Sequence, residues 1–87
     1  MGDRYIVYAH RLNPTRQPFY VGMAKDMPIH KRSESDAFNF DNKPDVWKRV
    51  RGDGRVYVDV LAKRCSKDRA RLLMVKYMKH WQPAAND

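Results

Sequence analysis

Two tyrosine-bearing segments are the first residues in this chain whose types and spacing suggest joint chemistry. Tyr5-Ile6-Val7-Tyr8 is followed, after eleven residues, by Tyr20-Val21-Gly22. Both segments are aromatic and β-branched, the composition of strands. If the two strands pair, Tyr8 and Tyr20 can bring their hydroxyls to one face of the sheet. A phenol both donates and accepts a hydrogen bond, but it is also an ordinary core aromatic with its hydroxyl satisfied nearby. The other groups able to carry chemistry are cations. Lys48, Arg49 and Arg51 sit together, and Arg69 and Lys76 lie on one predicted helix, all suited to phosphate contacts. His10, His30 and His80 are scattered without metal-ligand spacing. There is no Gly-rich phosphate loop.

These residues belong to a chain of 87 residues, the size of one domain spanning residues 1–87. So short a chain has few apolar residues to spare from packing. Lysine and arginine number 18 against 10 acidic residues, a net charge of +8. The excess lies almost wholly in residues 43–81, which hold twelve basic and four acidic residues. A charge this lopsided favours a polyanion. Nucleic acid is the first partner it predicts and an acidic protein the second; charge by itself does not separate DNA from RNA. Single Cys65 excludes an intrachain disulfide and a multi-cysteine zinc site, and suits a reducing cytoplasm. The longest apolar run, Leu72 to Val75, is far too short to span a membrane, and no signal pattern is present.

The elements that must position these residues follow from periodicity. Residues 4–9 and 19–23 predict two strands, with a proline-containing loop over 11–18 between them. Their short connection predicts an antiparallel hairpin. Pro28 predicts the start of a short helix through His30, Lys31 and Arg32, and residues 33–42 a loop anchored by Phe38 and Phe40. A helix begins at Pro44, preceded by Asn42 or Lys43, with Val46, Trp47 and Val50 on one face. Gly52-Asp53-Gly54 ends it. Val56, Val58 and Val60 alternate with Arg55, Tyr57 and Asp59, which predicts a half-buried strand. Ser66 caps a last helix whose Ala70, Leu73, Met74, Tyr77, Met78 and Trp81 form one apolar stripe. Pro83 ends that helix. Trp47 and Trp81 lie on apolar helix faces, where core packing outweighs stacking on bases. The class predicted is α/β (α+β): a small three-stranded sheet containing an antiparallel pair, flanked by helices, in the order β-β-α-α-β-α.

The paired tyrosine motifs, their spacing and this element order resemble the GIY-YIG nuclease family over roughly residues 4–86. Ile6-Val7-Tyr8 stands where the family has Gly-Ile-Tyr, and Tyr20-Val21-Gly22 where it has Tyr-Ile-Gly. Pro18-Phe19-Tyr20-Val21-Gly22 and Trp47-Lys48-Arg49-Val50 are similar to small phage and bacterial members. The resemblance implies phosphodiester hydrolysis of DNA, with Tyr8 and Tyr20 at the attacking water, Arg32 at the phosphate, Asn86 as a buttress, and Mg²⁺ or Mn²⁺ as cofactor. Lys31, beside Arg32, is the alternative phosphate contact. Two positions depart from the pattern: Ile6 replaces the first motif's glycine, which a strand accepts well, and the second departure bears on the metal. Where the family places its metal-binding glutamate, four residues after Ala70, this chain has Met74, and a thioether is a poor ligand for a hard cation. Glu34, Asp36 and Asp41 are the acids that could replace it. No residue is therefore assigned to a metal. Two functions follow as expectations: a nuclease weakened or silenced at its metal site, or an inactive module that works as an inhibitor or accessory factor through its basic surface.

Overall fold

The computed structural model describes residues 4–13, 16–27, 37, 38, 40 and 43–86. β1 (Tyr5–Leu12) and β2 (Gln17–Lys25) form the hairpin that their composition predicts. Both run further than the sequence suggests, so the loop expected over 11–18 is confined to the residues between Leu12 and Gln17. Pro18 is tolerated inside β2 because β2 is an edge strand and the register slips between His10 and Arg11. β3 (Val56–Cys65) pairs antiparallel with β1 on its other side, giving the order β2-β1-β3. Its alternation of valines is as predicted, and it continues four residues beyond Leu61.

The central strand β1 is buried on both faces, and its alternation sorts two different cores. Val7 and Ala9 point to the face covered by α2 (Lys67–Trp81). Ser66 Oγ accepts the Arg69 amide at 3.2 Å and starts that helix, as its sequence position predicts. Its stripe from Ala70 to Trp81 then packs on Val7, Ala9, Val21 and Cys65. Ile6, Tyr8 and His10 point to the opposite face, where Ile6 and Tyr8 meet Ala24, Ala37, Phe38, Val58 and Val60.

α1 (Asp45–Arg51) takes Pro44 as its N-cap residue, so Lys43 stands one residue earlier, and the cap makes no side-chain hydrogen bond. Trp47 is completely buried with Phe19 and Ala85, the last of these in a closing 3₁₀ turn, Ala84–Asn86. Stacking of Trp47 on bases is thereby excluded. The result is a compact α+β unit with a three-stranded antiparallel sheet and two helices among the described residues. No described helix is long and apolar enough to cross a membrane. The helix expected after Pro28, with Lys31 and Arg32, lies outside the described residues, as do Glu34, Asp36 and Asp41.

Candidate functional site

The hairpin register decides where the tyrosines go. Tyr8 pairs with Gly22 and His10 with Tyr20, so Tyr8 and Tyr20 are diagonal neighbours on one face. Their ring centroids are 6.3 Å apart. Gly22 lets Tyr8 lie across the strand. A Cβ at position 22 would meet the Tyr8 hydroxyl at 2.6 Å and its Cζ at 2.8 Å. The glycine of the second motif is thus a packing requirement of the first motif's tyrosine.

Tyr20 faces a cleft of about 440 Å³ along the β2 edge, which Lys43, Met74, Met78 and Asn86 also line, and the buried Tyr8, 2% exposed, borders it from the core. Asn86 reaches the cleft from the far end of the chain. Its Nδ2 donates to the Val21 carbonyl at 2.9 Å, and its Oδ1 accepts from the Val21 amide at 2.7 Å. The primary amide thereby imitates a strand partner and covers one residue of an otherwise open edge. Lys43 stands over both aromatic faces, its Nζ 5.8 Å from the Tyr8 centroid and 5.5 Å from that of Tyr20, within cation–π range. The cleft therefore holds phenol, amide and ammonium groups beside two thioethers, a set that favours an anion.

Met74 forms part of this cleft wall. Among the described residues no carboxylate lines it, and none form a group of three or more His, Cys, Asp or Glu able to hold a metal. These donors do not fit Mg²⁺ or Mn²⁺, which want hard oxygens.

His10, which its spacing gives no reason to choose, is the centre of the neighbouring core. It is fully buried, the one buried polar or charged side chain among the described residues. Trp47 Nε1–H donates to its Nδ1 at 2.9 Å, so Nε2 carries the proton and donates to the Ala37 carbonyl at 2.7 Å. Rings of Tyr8, Phe19, Tyr20, Phe40 and Trp47 surround it. Burial pushes the imidazole down to about 4; the bond to Ala37 opposes this and the charge of Lys43 adds to it. With both nitrogens committed, His10 positions aromatic rings and does not serve as a base in the cleft. The signal for it in the sequence is its place two residues after Tyr8, on the same strand face. Lys43 has a weaker one, a cation just ahead of a helix-starting proline.

The other predicted cations lie outside the cleft. Lys48, Arg49, Arg69 and Lys76 are exposed. Arg51 is half-buried, its guanidinium near the Phe40 and Trp47 rings and its Nε donating to the Gly54 carbonyl at 3.3 Å. Its guanidinium thus has packing partners within the fold as well as an accessible side. Tyr8, Tyr20 and Asn86 are brought together. Arg32 and Lys31 lie outside the described residues.

No protein-family model and no curated protein matches this sequence, and no solved structure matches its fold.

Proposed function

We propose that this chain is a GIY-YIG-like nucleic-acid-interacting protein whose tyrosine cleft receives a backbone phosphate, with hydrolysis weakened or lost. The observation that carries this reading is the cleft itself. Tyr8 and Tyr20 meet on one face with Lys43 over both rings, while Met74 occupies the wall. A phosphate oxygen is a good acceptor for phenol and ammonium donors. Lys43 supplies positive charge, Tyr20 supplies orientation, and the buried Tyr8 supports the Tyr20 ring from below. Hydrolysis further needs a group that takes a proton from water. The described residues lining the cleft include no carboxylate and no imidazole, so the chemical step is slow. Lys48 and Arg49 on α1 and Arg69 and Lys76 on α2 add phosphate contacts that ignore sequence.

A second reading takes an acidic protein as partner. It is favoured by Leu72 (72% exposed) and Val75 (40% exposed), which lie among Lys76 and Lys79 on α2.

Supercoiled plasmid incubated with the protein, with Mg²⁺, Mn²⁺ or EDTA, tests both readings. The expected result is a gel shift that fades with salt, and nicking at or near background. Met74→Glu should raise nicking in Mn²⁺, and Tyr20→Phe in the same background should remove it. Metal-dependent nicking by the unmodified chain would mean that a carboxylate elsewhere serves the cleft. Absence of any shift at low salt would overturn the nucleic-acid reading and leave the acidic protein.

A further inference from the structure

A second concave site lies away from the tyrosine cleft, at the other end of β1. It forms because α2 stops short of the sheet. The face that α2 covers runs from Cys65 to Ala9, and Trp81 closes the helix beneath Arg11, whose guanidinium carbon is 5.1 Å from the Trp81 ring centroid. Beyond that point Arg11 pairs with Tyr57, and Ala9 with Asp59. Alternation therefore places Arg11, Tyr57 and Asp59 side by side on sheet surface that no described helix covers. With Asn13 and Arg16 they line a cleft of about 480 Å³.

Three features of this cleft exceed what an incidental surface needs. Arg11 is held at three points: its Nε donates to Asp59 Oδ2 at 3.0 Å, a terminal nitrogen donates to the Arg16 carbonyl at 2.8 Å, and its plane rests near Trp81. A guanidinium fixed this way loses little freedom when it meets a ligand. Tyr57 is 53% exposed, a large flat ring left in solvent in a chain that can spare few aromatics. Arg16 occupies a left-handed backbone conformation, φ 57°, stabilised by its amide's bond to the Leu12 carbonyl at 2.6 Å. A residue with a Cβ is strained there, where glycine would not be. That strained residue carries a cation to the rim of the cleft.

We propose that this cleft binds one unpaired nucleotide of a single-stranded nucleic acid. Its base stacks on Tyr57 and its phosphate lies between the guanidiniums of Arg16 and Arg11. A planar ring flanked by cations matches a planar base flanked by anionic oxygens. Arg11 and Asp59 offset one another in charge, so Arg11 offers hydrogen-bond donors and Arg16 the net positive charge that the phosphate meets. The base must be unpaired, since a paired base presents no open face to the ring. The site extends the nucleic-acid reading above but uses none of the tyrosine-cleft residues.

The test is fluorescence anisotropy with a short 5′-labelled oligothymidine and, separately, a labelled duplex at the same salt. Tyr57→Ala should weaken single-strand binding about tenfold, the usual scale of base–aromatic stacking. Tyr57→Phe should retain it. Arg16→Gly keeps the left-handed backbone without strain while removing the cation. It should weaken binding and reduce its salt dependence. Duplex affinity should not change in any variant, and melting temperatures identify any variant that fails to fold. Single-strand affinity unchanged in Tyr57→Ala overturns the proposal. A wild-type chain that binds duplex but no single strand overturns it too, leaving the tyrosine-cleft reading intact. Binding of neither overturns both.

Discussion

At the residue scale, His10 joins a polar pair of bonds to an aromatic core. Its imidazole must stay neutral, because protonating Nδ1 sets one donor against another at the Trp47 indole. The unfolded chain has an ordinary histidine near 6.5, and the folded one a group near 4. Between these values the unfolded state binds more protons, so stability is full above about 6.5 and is lost as pH falls towards and through 4. The linkage amounts to about 2 kcal/mol between pH 7 and pH 5. Urea unfolding at those two pH values should read it, and a His10→Gln variant should lack the step. Equal stability at both pH values in the wild type would contradict a buried, neutral His10. Gly22 makes a second prediction at this scale. Gly22→Ala drives a methyl into the Tyr8 hydroxyl, and overpacking of this kind costs about 1–3 kcal/mol. The urea midpoint should fall accordingly, and an unchanged midpoint would mean Tyr8 has room to move.

At the scale of elements, the open edge of β2 matters most. No further described strand pairs with it, and the Asn86 amide satisfies the pair at Val21. The closing 3₁₀ turn is therefore an edge clamp. With Ala85 anchored in the Trp47 cluster, it brings an amide to the strand. Asn86→Ala should cost about 1–2 kcal/mol and speed hydrogen exchange at the Val21 amide. Exchange unchanged at Val21 would show that the clamp is dispensable.

At the scale of the whole molecule, charge and fold act in different ways. The net charge of +8 favours a polyanion at a distance, while in the function proposed above the two clefts would set how a nucleic acid is held. Affinity for duplex DNA should fall linearly on a log–log plot against salt. Replacing both Lys48 and Arg49 with alanine should reduce that slope by about 2. A slope unchanged in the double variant would move the contact surface from α1 to α2. Raising salt should affect the acidic-protein alternative less if the apolar Leu72 and Val75 patch carries part of that contact.

Much of the fold is legible along the chain, because local rules govern it. Alternating valines make β3, the i, i+3, i+4 stripe makes α2, Ser66 caps it, and the short connection makes the hairpin. The strand ends are less legible, because Pro18 has the local character of a breaker and only its position on an edge strand makes it acceptable. Of the site, the sequence alone determined that two tyrosines could share a face and that position 74 offers a thioether. What it could not determine depends on contacts between residues far apart in the chain. Asn86 reaches Val21 across 65 positions, and Trp47 reaches His10 across 37. Lys43 stands over two rings from different strands, and the Tyr57 cleft exists because α2 ends too early to cover it. Periodicity records which face a residue occupies. It does not record which distant residue meets it there, and that was decided by the packing of α1, α2 and the closing turn around one three-stranded sheet.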